Sequence, residues 1–156
     1  MPYFYRNPNA PRPNCPRSPG AVALIERDDA LLMDLRGDGR WGLVGGAVND
    51  DESVPAALCR EVLEETGLVV TSYRLFGIFS DPSRIIQYES GDIVPILSHV
   101  FWAEVAPFEQ LQVSHESRDI QFVPRAALAD LDIVETHRHI VDCYLAGEGR
   151  DTVILE

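Results

Sequence analysis

Residues 46–68 read GAVNDDESVPAALCREVLEETGL. Ser53 is a natural helix N-cap, Pro55 suits a first turn and Gly67 suits a C-terminal stop. The stretch therefore predicts a helix from about Ser53 to Thr66, entered from an acidic loop. At about 100° of rotation per residue, Glu61, Glu64 and Glu65 share one face, while Cys59, Val62, Leu63 and Thr66 lie on the side expected to meet the core. Like charges at this spacing repel by a few tenths of a kcal/mol per pair, and only Arg60 stands near enough to relieve them. Hard divalent cations take oxygen ligands, which clustered carboxylates supply. On spacing alone, a cation site and a solvated acidic face both stay open.

Outward from this helix, the runs AVALIER and ALLMDLR flank Asp28–Asp29 and predict a β-hairpin. GLVGGAV predicts a short strand before the helix, and LVVTSYRLFGIF, ILSHVFWAEV and IQFV predict strands after it. A short helix near 125–130, a longer one in IVETHRHIVDCYLAG and a closing strand in TVILE complete the chain. Strands and helices mix without regular βαβ alternation, which predicts an α+β fold with a mixed sheet. GDGRWG (Gly37–Gly42) has the glycine spacing of a dinucleotide loop, but LVGGAV follows where that loop needs a helix N-terminus, so it reads as a connection between strands.

Residues 1–19 form a separate unit, an extended arm rich in proline and arginine, ahead of one domain spanning 20–156. The segment MPYFYRNPNAPRPNCPRSPG holds six prolines and three arginines and no acid, so it can be neither helix nor central strand. The arm carries +3 and leaves −15 on the rest of a chain whose net charge is −12. Three placements are open: a loose tail, an arm over its own acidic body, or an arm over a second subunit.

Composition narrows the function. Twenty-five acids face 13 basic residues, all arginine, so a nucleic-acid partner is not expected. The absence of lysine excludes a Walker-type phosphate loop and lysine Schiff-base chemistry. A phosphorylated small molecule stays open where cations mediate the contact. Cys15, Cys59 and Cys143 have no zinc or disulfide spacing and read as reduced thiols of a cytoplasmic protein. A signal peptide is not expected, because the N-terminus lacks an apolar h-region, and neither is a membrane span, because no apolar run approaches about 18 residues.

Taken from Gly46, the stretch places Glu52 six positions on, Arg60–Glu61 eight positions later, then Val62, Glu64–Glu65, Gly67 and Leu68. This resembles the Nudix box at every defined position, and RWGLVGGAV before it is similar to the family's strand entry. Val44 stands where a proline is common, and Asp50–Asp51 replace a usual glycine. The resemblance implies an α/β/α sandwich with a mixed sheet, dependence on Mg²⁺ or Mn²⁺, and hydrolysis of a nucleoside diphosphate linked to another group. It also implies Glu64 and Glu65 as metal ligands, Glu61 as ligand or general base and the Gly45 carbonyl as a further ligand. By the same resemblance Arg60 orients the glutamates, with Gly46, Glu52 and Gly67 in support. A homodimer is expected on the same ground.

Glu116, in VSHESRDIQF, resembles a glutamate that the family often supplies from outside the box, and an exposed loop acid is the alternative. Trp41, Phe79, Tyr88, Trp102 and Phe122 are candidates for stacking on a nucleobase, with Trp41 put first, and Arg84 is a candidate for pairing with a phosphate; core or hairpin packing and an ordinary loop residue are their respective alternatives. Pro82, fourteen residues after Leu68, resembles a mark of the ADP-ribose-cleaving branch. ADP-ribose or another nucleotide sugar is thus the first expected substrate. A house-cleaning hydrolase of nucleoside triphosphates is the second reading, and a non-catalytic sensor of nucleotide metabolites the third.

Overall fold

A computed structural model describes residues 1–156. In chain order the elements are β1 (Tyr3–Phe4), β2 (Ser18–Leu24), β3 (Glu26–Arg27), β4 (Ala30–Arg36), β5 (Trp41–Gly42), β6 (Val44–Ala47) and α1 (Val54–Thr66). There follow β7 (Val70–Phe79), β8 (Ile85–Gln87), β9 (Ile93–Val105), β10 (Ser117–Pro124), a 3₁₀ turn (Arg125–Asp130), α2 (Glu135–Leu145) and β11 (Ile154–Leu155). No helix is long and apolar enough to cross a membrane.

β9 is the spine of a seven-stranded sheet. β2 runs parallel to it, whereas β7 and β8 pair with it antiparallel. β6 continues the sheet from β2, β1 continues it from β8, and β11 runs parallel to β7. β10, β4, β3 and β5 form a second, antiparallel sheet. The mixed sheet and its helices match the expected α+β class.

Alternation along the central strands explains why the sheet is covered on both faces. In β2 and the residue after it, Ala21, Ala23 and Ile25 join the cluster built around Ala57, Leu58 and Val62 of α1. Val22 and Leu24 join the other cluster, with Ile140, Val141 and Tyr144 of α2. β9 divides in the same way, Phe101 and Ala103 toward α1 and Val100 and Trp102 toward α2. A strand that is apolar on both faces needs a packed layer over each, which the large sheet provides between α1 and α2. That is why the expected hairpin is split: β2 enters the large sheet, and only Glu26–Arg27 pairs back onto Ala30–Leu31. Asp28 and Asp29 make the turn at φ 50° and 59°, a region that Asp tolerates better than most residues.

The caps of α1 lie where the sequence put them. Ser53 Oγ accepts from the Ala56 N–H at 3.2 Å, and Gly67, at φ 75°, donates its N–H to the Leu63 carbonyl at 2.9 Å. Leu63 departs from expectation: it is 53% exposed, because it sits at the margin of a face whose buried members are Ala57, Leu58, Val62 and Thr66.

The arm lies on its own body. Tyr3 pairs with Ile86 and Phe4 with Ile85, Tyr5 N–H donates to Glu135 Oε2 at 3.1 Å, and Arg6 N–H donates to Ser83 Oγ at 3.0 Å. β2 already begins at Ser18, so the boundary expected after residue 19 falls inside a strand. β1 and β8 are missing from the sequence reading, since runs of two and three residues carry no periodicity of their own.

Candidate active site

Loop, strand and helix converge at Gly45–Gly46. Gly45 holds φ 148°, and a side chain there would run into the backbone of Ala21 and Val22. At Gly46 a Cβ would meet the Glu61 carboxylate. Two bare residues thus let β6 approach the anionic face of α1 closely. The Gly45 N–H donates to Glu65 Oε2 at 2.8 Å.

A cleft of about 630 Å³ opens here, within the range of small-molecule sites. Gly45, Gly46, Glu61 and Glu65 line it from one side of the fold, and Asp34 and Arg36 of β4, with Glu116 and Ser117, line it from the second sheet. Burial pushes the Glu65 carboxyl up to about 8, the Gly45 N–H opposes that shift, and Asp34 and Glu61 add to it. Asp34 is 4% exposed, its Oδ1 has no hydrogen-bond partner, and burial raises its carboxyl as well. Glu116 is exposed at the same cleft, beside His115.

Arg60 binds the neighbouring carboxylates. Its Nε donates to Glu52 Oε2 at 2.9 Å and its Nη2 to Glu52 Oε1 at 2.5 Å, while Nη1 reaches Glu61 at 2.7 Å and Glu64 at 3.3 Å. Its Nη2 also donates to the Ala47 carbonyl at 3.0 Å. The bidentate pair with Arg60, and the Asn49 N–H, hold the Glu52 carboxyl down to about 2. Glu52 thereby ties the loop to the helix.

As the side chains stand, no three His, Cys, Asp or Glu groups are drawn together closely enough to enclose a cation. The donor set nevertheless fits a hard divalent ion. It is all oxygen, one guanidinium serves Glu52, Glu61 and Glu64 together, and the half-buried Glu65 and the buried, orphaned Asp34 Oδ1 form no ion pair. A buried carboxylate is disfavoured until a positive charge joins it.

Two expectations for substrate contact do not hold. Arg84 is fully buried away from the cleft: its Nε and Nη2 each donate to Glu156 at 2.7 Å, its Nη1 donates to the Thr136 carbonyl at 2.6 Å, and its plane lies over the Tyr5 ring. A guanidinium so fully matched has nothing left for a phosphate. Trp41 pairs with Leu35 in β5 and packs on the core, so its ring is spent on the fold. Asp34, Arg36, Tyr3 and Tyr88 line the cleft instead; Tyr88 is among the stacking candidates of the sequence, whereas Asp34 and Arg36 are not singled out there. The available signal was an acid at position 34 inside the apolar run ALLMDLR. His137 also lines the cleft, with its Nδ1 accepting from the Leu43 N–H at 3.0 Å, and burial lowers its imidazole to about 3, so it is neutral.

The sequence profile of the NUDIX domain matches residues 16–143. An ADP-ribose pyrophosphatase of Methanocaldococcus jannaschii is 38% identical over 65 residues, which cover 39% of this chain and 38% of that protein. The nucleoside triphosphatase NudI of Enterobacter sp. (strain 638) is 30% identical over 124 residues, covering 74% of this chain and 87% of that one. A putative nudix hydrolase family member from Chromobacterium violaceum superposes with a TM-score of 0.66 at 25% identity, over 86% of this chain and 80% of that one. The alignment thus spans less than half of the archaeal relative and most of NudI.

Proposed function

This chain belongs to the Nudix family, and we propose that it is a divalent-metal-dependent pyrophosphohydrolase of a nucleoside diphosphate linked to another group, with ADP-ribose or a nucleotide sugar as first substrate. The observation that carries this reading is Glu65, an acid held in the cleft by the Gly45 N–H beside Glu61 and the unpartnered Asp34. Glu61, Glu64 and Glu65, with the Gly45 carbonyl, would hold Mg²⁺ or Mn²⁺. When bound, such ions neutralise charge developing at phosphorus and make a bound water more acidic. The chain's own part is orientation and proton transfer. Arg60 fixes Glu61 at 2.7 Å while Glu52 fixes Arg60, so the carboxylate that takes up the water's proton is held from behind. Glu61 serves as ligand or proton acceptor, and Glu116, exposed at the cleft, is the other acceptor. Glu61→Gln and Glu116→Gln, compared for metal affinity and turnover, separate the roles: a ligand loses affinity, a base loses turnover alone.

The likeness to NudI over most of both chains supports a second reading, release of pyrophosphate from nucleoside triphosphates. Incubating the protein and Mg²⁺ with a panel of nucleotides, then separating products, decides between them. AMP with ribose 5-phosphate supports the first, a nucleoside monophosphate with pyrophosphate supports the second, and no product from any nucleotide overturns both. A cytoplasmic homodimer belongs to the same reading and is tested by fractionation and by sedimentation of the intact chain.

A further inference from the structure

The cleft that takes the nucleotide under the reading above is lined by Asp34, Asp38, Glu61, Glu65, Glu89 and Glu116, and by a single arginine, Arg36. A phosphate chain entering it meets six acids and one fixed cation. Arg36 takes part in none of the molecule's ten ion pairs, despite this surplus of acid around it. Its guanidinium instead rests on the ring of Tyr3, with Cζ 4.7 Å from the centroid. A guanidinium held over a ring keeps its charge, and the donors of Arg36 are unspent on any carboxylate.

The arm fixes Tyr3 on both sides. Pro2 accepts from the Gln87 N–H at 3.0 Å, Tyr3 is registered opposite Ile86, and Tyr5 and Arg6 are anchored to Glu135 and Ser83. Tyr3 is only 5% exposed, and its ring lies 6.2 Å from that of the buried, neutral His137. Gly42 supplies the room: a Cβ there would stand 3.4 Å from the Arg36 Cδ and 3.1 Å from His137 Nδ1. Arg36 therefore has ring, imidazole and glycine around it, an environment that sets its position without neutralising its charge. Arg36 lines the cleft together with Glu65, Asp34, Tyr3 and Tyr88, and its charge favours the ionised form of each.

We propose that Arg36 is the protein cation that receives the nucleotide's phosphate chain, and that Tyr3, from the N-terminal arm, is the positioning residue that holds its guanidinium in place. This rests on the nucleotide reading of the cleft, and it gives the arm a role in substrate affinity rather than in the chemical step.

The test is calorimetric titration of the full chain with α,β-methylene-ADP in Mg²⁺, whose bridge cannot be hydrolysed, alongside steady-state kinetics. Arg36→Ala is expected to weaken binding at least about tenfold. Tyr3→Leu, which keeps apolar bulk but removes the π face, is expected to raise Kd and KM about fivefold with kcat within about twofold. Tyr3→Phe keeps the ring and is expected to bind within about twofold of wild type. Tyr3→Leu binding like wild type overturns the inference, as does a loss confined to kcat, or wild-type protein that does not bind the analogue. If the arm detaches in Tyr3→Leu, its melting temperature falls; a Tyr3→Phe protein that melts as wild type yet binds as weakly as Tyr3→Leu then overturns the proposal. Binding of the analogue with this pattern, but without turnover of any nucleotide, sinks the hydrolase reading and leaves the inference standing. Turnover with an unchanged Kd in Arg36→Ala does the reverse.

Discussion

Two groups of buried charge in this molecule are held on opposite terms. Around Glu156 every charge is answered: Arg84 donates to both carboxylate oxygens at 2.7 Å, Asp81 N–H adds 2.9 Å and the Tyr5 hydroxyl 3.0 Å. Around Glu65 the carboxylate has one backbone N–H, the company of other acids and the charge of Arg36 without an ion pair. Burial alone would raise the Glu156 carboxyl, yet Arg84 and the Asp81 N–H outweigh it and bring it down to about 2, whereas Glu65 is left at about 8. A matched pair of this kind consumes its partners and builds structure. An unmatched group keeps its valence for something that arrives from outside. The sequence reading placed Arg84 at the substrate because an arginine in a loop shows its charge and not its partner; that partner is 72 residues away.

The comparison breaks first at Glu65→Gln. We expect turnover with Mg²⁺ to fall by about 10³-fold while the urea midpoint at pH 8 stays level or rises, since a neutral amide replaces a charge that burial disfavours. Full activity, or loss of the fold, would make Glu65 structural. The opposite region should respond in the opposite way. Glu156→Ala strands the Arg84 charge in the interior and should remove about 3–5 kcal/mol of stability, with kcat well below the melt within about threefold of wild type. Urea unfolding and kinetics on the same preparation check this, and an unchanged midpoint would dissolve the distinction between the two regions.

Acidity sharpens it further, because the two carboxyls move stability in opposite directions. The ordinary value for both is 4.5. Glu156 is depressed when folded, so its contribution, of order roughly 3 kcal/mol, is present above pH 4.5 and lost as pH falls toward about 2. Glu65 is raised when folded, so its contribution is present below pH 4.5 and lost as pH rises through about 8 in protein held in EDTA. Urea titrations from acid to alkali should show Glu156→Gln flattening the acid limb and Glu65→Gln the alkaline one. The smallest effect is that of the cation itself. Mg²⁺ should raise Tm by ~2–4 °C beyond NaCl of equal ionic strength, and equal shifts would reduce it to screening.

What could be read from the sequence was local. α1, its caps and its carboxylate face depend on residues within a few turns of one another: Arg60 meets Glu64 at i,i+4 spacing, and Glu52 reaches Arg60 from the loop only eight residues earlier. The far walls of the cleft were not legible, because strand pairing brings them together over long separations. Asp34 and Ser117 share a cleft through the β4–β10 ladder, and Tyr3 reaches Arg36 because the arm registers on β8. The arm's prolines exclude a helix, but pattern alone leaves three placements open, and the contacts that lay it on its own chain are with Glu135, Ser83 and Glu156, all distant in sequence.

The margins of the large sheet have a consequence for how this protein tolerates crowding by its own kind. Its outermost strands are β1 and β11, of two residues each, and β6, of four. Pro2 and Pro8 bracket β1 and offer no amide to a newcomer. Margins this short offer little row of donors and acceptors to a further strand, whereas two longer edges carry no strand partner: Val70–Leu75 of β7, beyond its pairing with β11, and the outer edge of β10. Continuing a sheet from one copy into the next would therefore have to start at β7 or β10, and not at the arm, the C-terminal strand or the glycine strand beside the cleft.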